Sequence, residues 1–97
     1  MITFPLTLNP EETFQMTLFE QFYNFRQLWN TAGQFWTLDV RDEDNVALAL
    51  GIKLVTGIFL LSQYPQIRFN LKSDNLLADP GREDLTEFVF EITNKDV

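Results

Sequence analysis

The sequence predicts an all-β fold, and three observations support this prediction. Apolar and polar residues alternate in short runs, helical spacing is not sustained over three turns anywhere, and turn-forming residues separate the runs. There are six or seven such runs, which is enough for a small antiparallel barrel or a two-layer sandwich. With 97 residues, the chain is expected to form a single β domain over residues 1–97.

The first predicted strand runs from about Ile2 to Leu8. Pro5 lies within it and has no N–H to donate, so we expect this strand at the edge of a sheet. The turn "LNPEE" (8–12) leads to the second strand. The side chains of that strand expected to face inward are Phe14, Met16 and Leu18.

Two strands around the turn "NTAG" (30–33) are predicted to form a hairpin. The first ends at Trp29 and the second begins at Gln34, and Gly33 can supply the positive φ of a tight hairpin turn. Trp29 should then lie opposite or diagonal to Trp36 as a cross-strand aromatic pair. We expect both indoles to fill the core. The alternative is an exposed platform on which a sugar or a base stacks.

The second half of the chain contains clear strands on both sides of an ambiguous segment. A reversal at "RDEDN" (41–45) ends the Trp36 strand, and the runs 67–72 and 87–93 alternate clearly. The segment "GIFLLSQYP" (57–65) is either a strand or one helical turn that ends before its proline. The run "GIKLVTGIFLL" (51–61) has apolar residues at odd and even positions alike, so both of its faces are apolar. Either a neighbouring element or a partner protein must therefore cover its outer side.

The composition restricts the classes of function. The chain has no cysteine and no histidine, which excludes disulfides, thiolate nucleophiles, Cys/His zinc sites and histidine-based triads. Its net charge is −7 and its seven basic residues are scattered singly, so neither free nucleic acid nor an anionic membrane is an expected partner. The longest apolar run is too interrupted for a membrane span, and the first residues show no signal-peptide pattern. No cofactor is expected.

Two groups of acidic residues were candidates for chemistry, and both have a simpler interpretation. The sequence "DVRDEDN" (39–45) lacks the glycine and the distal glutamate of a calcium-binding loop, so a solvated turn is expected. Its acidic residues are Asp39, Asp42, Glu43 and Asp44. Asp79 and Glu83 could form an acid–base pair, but the sequence does not fix their separation. We therefore predict a protein that is not an enzyme, with no catalytic residue and no metal ligand.

Two apolar surfaces are candidates for contacts with other proteins. The first is the apolar run 51–61, whose outer side a partner protein could cover, and the second is the edge strand at residues 2–8, which can pair with another chain. Removing residues 1–8 is expected to leave a folded domain that assembles poorly. The predicted contact residues are Ile2, Phe4, Leu6, Ile58, Phe59 and Tyr64.

About forty residues in the middle of the chain resemble a known family. A W-N turn leads to a W-x-L-D-[IV] strand, a polar reversal, and then G-I-x-L-V-x-G-x-x-L-L. The matching residues are Trp29, Asn30, Trp36, Leu38, Asp39, Val40, Gly51, Ile52, Leu54, Val55, Gly57, Leu60 and Leu61. This ordered pattern is similar to the small plug-type proteins in the baseplates of contractile-tailed phages.

The resemblance implies a structural component of the virion. Such a protein would lie near the axis of the tail or baseplate, in several copies, and would contact hub, wedge, spike or tube proteins. It would be assembled in the host cytoplasm and would carry no catalytic residues. The alternative function is a small OB-like β-barrel that binds single-stranded nucleic acid or an oligosaccharide through Trp36 and nearby phenylalanines.

Overall fold

The computed structural model describes residues 2–74 and 79–95, and within them the chain forms seven strands and one short 3-10 helix. The helix spans Leu85–Glu87, which is far too short to cross a membrane. The strands are β1 (Ile2–Thr3), β2 (Glu11–Leu18), β3 (Gln21–Asn30), β4 (Phe35–Asp42), β5 (Ala47–Lys53), β6 (Phe69–Lys72) and β7 (Glu91–Asn94).

The strands form two antiparallel sheets. One has four strands in the order β2-β3-β4-β5, and the other has three in the order β1-β7-β6. The four-stranded sheet is a meander of hairpins, since each strand pairs with the next in the sequence. The prediction of an all-β antiparallel fold is confirmed, and of its two architectures the sandwich fits, because the sheets do not close into a barrel.

Phenylalanine, leucine and isoleucine from both sheets fill the space between them. Phe25 and Leu38 from the larger sheet and Phe69 and Ile92 from the smaller one are almost fully buried. The rings of Phe25 and Phe69 meet edge-on across the two sheets with their centroids 5.9 Å apart. The alternation read from the sequence therefore selects the core residues on both sheets.

Three predicted elements differ from the structure. The first strand ends at Thr3, because Pro5 has no N–H and the last ladder bond is donated by the Phe4 N–H to the Phe90 carbonyl. The predicted strand 87–93 begins only at Glu91, after the 3-10 helix. Segment 57–65 forms no strand; it contains a turn in which the Tyr64 N–H donates to the Leu61 carbonyl.

The hairpin between β3 and β4 forms where it was predicted, but Gly33 plays a different role. Gln34, not Gly33, has the positive φ, at 59°. A Cβ atom at Gly33 would lie 2.0 Å from the nearest atom of the Phe35 ring. Glycine here lets the Phe35 ring lie close to the turn, and a larger residue would displace that ring.

Candidate functional site

The two tryptophans face each other across the β3–β4 hairpin. Trp29 and Trp36 are directly paired, and their rings meet edge-on at 5.3 Å. Trp36 is fully buried, and its indole N–H donates to the Gly81 carbonyl at 2.7 Å. Trp29 is half-buried and packs against the core. The interpretation of the pair as core is correct for Trp36, whose ring has no free face on which a ligand could stack.

The acidic residues of the 39–45 stretch organise the backbone. Asp39 is buried, and its carboxylate accepts the amide N–H of Gly51 at 2.7 Å. Gly51 has a φ of 68°, and the pairing of β4 with β5 shifts register beside it. The Asp42 carboxylate accepts the amide N–H groups of Asp44 and Val46, both at 2.9 Å, and so forms the turn.

The second acidic pair is spread over an exposed loop. The Asp79 carboxylate accepts the amide N–H of Thr56 at 3.1 Å, while Glu83 is exposed. Asp79 thus joins two loops. Among the described residues, no group of three or more acidic side chains is placed to hold a metal ion.

Four of the six predicted contact residues lie around two neighbouring grooves. The larger groove, of 670 Å³, is lined by Ile2 and Phe59 among others. The second, of 460 Å³, is lined by Ile58, Phe59 and Tyr64 among others. Because Phe59 lines both, we call these four residues, Ile2, Ile58, Phe59 and Tyr64, the Phe59 surface. Ile58 is 55% exposed and Phe59 is 50% exposed, although both are large apolar side chains.

The backbone beside the Phe59 surface is held against β6. The Leu60 N–H donates to the Leu71 carbonyl at 2.9 Å, and the Leu61 N–H donates to the side chain of buried Asn70 at 2.9 Å. The ammonium group of Lys72 lies over the Phe59 ring, 4.9 Å from the ring centroid. The segment therefore presents its exposed side chains from a fixed backbone, although it is neither helix nor strand.

Lys95 closes the far end of the same segment. Its ammonium group donates to the carbonyls of Leu61 and Tyr64, the latter at 2.9 Å. Partial burial lowers the pKa of Lys95 below its ordinary value, because it penalises the charged form. This lysine also lines the larger groove, so one side chain both fixes the segment and borders the exposed apolar surface.

The other two predicted contact residues are placed differently. Phe4 is only 3% exposed, and its ring packs edge-on against Phe25 at 4.9 Å. The ring of Phe4 is therefore covered in the folded chain, because the residue turns into the sandwich. Leu6 is half-buried and packs against the core. Removing residues 1–8 would delete a core phenylalanine, so the structure does not support the expectation that the domain stays folded.

A buried glutamine, whose role the strand pattern does not predict, holds the same N-terminal segment in place. Gln27 lies on β3 and is fully buried. Its amide nitrogen donates to the carbonyls of Thr7 and Asn9, at 2.9 and 2.8 Å, and its oxygen accepts the Thr7 N–H at 3.1 Å. The only signal in the sequence was a polar residue at a position whose parity is that of Phe25 and Trp29.

Residues 1–94 match the model of the family described as "Cyanophage baseplate Pam3 plug gp18". No curated protein matches the chain. The resemblance inferred from the central motif is confirmed, and Asp39 and Gly51 of that motif are the two residues joined across the β4–β5 irregularity. Since the match covers nearly all of its 97 residues, the chain belongs to this family of cyanophage baseplate plug proteins.

Proposed function

We propose that the protein is a structural, non-enzymatic subunit of a phage tail baseplate that acts by binding neighbouring baseplate and tail proteins. Membership of the plug family supports the location in the virion tail. The contact role is carried by one observation, which is the exposure of Ile58 and Phe59 beside the two grooves. Hub, wedge, spike or tube proteins are the proposed partners. We further propose several copies per baseplate and assembly in the host cytoplasm.

The energetic argument rests on the area that a partner could cover. Each of Ile58 and Phe59 leaves roughly 80–120 Å² accessible, so covering both would contribute on the order of 4–6 kcal/mol at about 25 cal/mol per Å². The costs of association reduce this figure, but two side chains in one well-packed centre are enough to form a binding hot spot. Because hydrogen bonds to β6 already fix the neighbouring backbone, little ordering entropy remains to be lost on binding.

No observation favours the alternative of an OB-like ligand-binding module. That function required Trp36 to grip a nucleic acid or a sugar, and Trp36 is fully buried. It also required a barrel, whereas the two sheets form a sandwich. A titration with oligonucleotide at low salt should leave the tryptophan fluorescence unchanged. Quenching of that fluorescence would revive the alternative.

The proposal can be tested with two variants of similar surface character. The double variant Ile58→Ser/Phe59→Ser removes the exposed apolar side chains, and the control Val46→Ser changes an equally exposed residue in the β4–β5 turn. Both should keep the thermal unfolding midpoint of the wild type within a few degrees. Copies of the chain in purified particles should fall at least tenfold for the double variant and stay unchanged for the control. Normal incorporation of the double variant would contradict the proposal.

A further inference from the structure

The two sheets expose four edge strands, and three of them are protected. The edges are β1 and β6 in one sheet and β2 and β5 in the other. β1 has only two residues, and the 57–60 segment covers the outer side of β6 with one backbone hydrogen bond to Leu71 and another to Ser73, just beyond the strand. Along β5 the pairing shifts register around Gly51, and Lys53 ends the strand. Short length, coverage, irregularity and lysine are the usual means by which proteins prevent edge pairing.

The fourth edge, β2, has none of these protections. Its eight residues pair with β3 without a register shift, and they include no proline and no lysine. The Trp29 N–H donates to the Pro10 carbonyl, so the backbone groups of Pro10 face β3. Because these groups alternate in direction along an antiparallel strand, those of the odd-numbered β2 residues face away from β3. The backbone groups that face the free edge are those of Glu11, Thr13, Gln15 and Thr17. No hydrogen bond to these groups is found among residues 2–74 and 79–95.

The side chains of β2 are also suited to an added strand. Thr13, Gln15 and Thr17 are exposed on the outer face, while Phe14 and Met16 point towards the core and remain only half-buried. A neighbouring strand with alternating apolar and polar side chains would cover Phe14 and Met16 and continue the sandwich. Backbone hydrogen bonds would then provide affinity and the alternate side chains specificity, as in β-augmentation.

The charges around β2 indicate which strand fits. Glu11 and Glu12 lie at its beginning and Glu20 lies just beyond its end, whereas the centre from Thr13 to Leu18 is uncharged. Arg26 of the neighbouring strand β3 forms an ion pair with Glu11 at 3.1 Å. A second copy of the chain would bring another net charge of −7 to this edge and is therefore disfavoured.

We propose that β2 is the docking strand for an extended segment of another baseplate protein. That segment has alternating apolar and polar side chains in its centre and carries lysine or arginine at its ends. This inference rests on the proposed function for the source of the partner. It concerns a different surface from the Phe59 surface, because neither of the grooves around Phe59 is lined by β2 residues.

A photocrosslinking experiment in assembled particles tests the inference. Gln15→p-benzoylphenylalanine places the reactive group on β2 and keeps the backbone N–H, and Leu50→p-benzoylphenylalanine is the matched control on exposed β5. We expect position 15 to crosslink to a lysine- or arginine-flanked extended segment of another baseplate protein, with at least tenfold higher yield than position 50. A crosslink to a second copy, to a segment without basic residues, or to nothing would overturn the inference.

Variants at the same position test the role of the backbone. Gln15→Pro removes an outward N–H while leaving the β3 pairing in place, and Gln15→Ala changes only the side chain. Incorporation into particles should fall at least tenfold for the proline variant and stay near wild type for the alanine variant. Equal incorporation of the two folded variants would overturn the inference. Absence of even the wild-type chain from purified particles would instead refute the proposed function.

Discussion

The buried side chain of Gln27 offers the most direct test of what holds the N-terminal segment. Gln27→Leu keeps a similar volume in the core but removes all three hydrogen bonds to Thr7 and Asn9. Each such bond contributes about 0.5–1.5 kcal/mol net, which gives about 1.5–4.5 kcal/mol for the set. The 7–9 segment lies at the surface, so water can satisfy its released groups. We therefore expect a loss of about 2 kcal/mol in the free energy of unfolding.

The loss is large relative to the stability of a chain of this length. A 97-residue domain has a free energy of unfolding of roughly 5–15 kcal/mol. For such a domain, a loss of about 2 kcal/mol lowers the thermal midpoint by roughly 8–16 °C. The loss of stability should be greatest near Thr7, because the Thr7 N–H loses its acceptor. Local opening of the 7–9 segment should therefore become easier than global unfolding.

The assay is urea unfolding followed by tryptophan fluorescence, together with amide hydrogen exchange at Thr7. Gln15→Leu is the matched control, because Gln15 is exposed on β2 and its side chain forms no hydrogen bond to the described residues. Its effect should stay within about 0.5 kcal/mol. If Gln27→Leu unfolds at the wild-type urea concentration, or if the Thr7 amide exchanges no faster, the anchoring role of Gln27 is refuted.

Three further predictions concern the backbone and the core. The β2–β3 turn places Phe19 and Glu20 at φ values of 50° and 69°, so Glu20→Gly should raise the free energy of unfolding by about 1 kcal/mol, measured as a higher urea midpoint. Gly51→Ala should cost about 1–2 kcal/mol from its φ of 68° alone, because nothing lies within 4 Å of the added Cβ; an unchanged midpoint would contradict this. Trp36→Ala should cost about 3–5 kcal/mol and Trp36→Phe clearly less, as judged by calorimetry, and a small loss for alanine would argue against a core role.

The strand pattern was predictable because it depends on local alternation. Phe69, Leu71 and Ile92 face the core as their period of two requires. By the same alternation their neighbour Asn70 points to the opposite face, yet it is buried, and its side-chain oxygen accepts the Leu61 N–H. The alternation within a strand does not show that one of its polar side chains will be buried by a hydrogen bond to an irregular segment elsewhere in the chain.

The candidate contact residues were also predicted only in part, because some of them depend on where the chain leaves its first strand. Ile58 and Phe59 were identified because they belong to a run that is apolar at both parities, which one buried face cannot absorb. Phe4 was assigned to the same kind of surface because its alternation was read along a strand extending to Leu8. The chain leaves the strand after Thr3, and the Phe4 ring then packs beside Phe25.

The sequence alone determined the all-β class, the position of the Trp29–Trp36 hairpin and the absence of any histidine- or cysteine-based chemistry. These properties follow from the identities and the local spacing of residues, which short-range sterics and burial convert into strands and turns. Only the tertiary structure decided which edge strand stays open, because protection of β6 comes from the 57–60 segment and β5 is irregular where Asp39 bonds Gly51. Such contacts join separate segments of the chain, and their geometry depends on how strands and loops lie against one another, which local alternation does not encode.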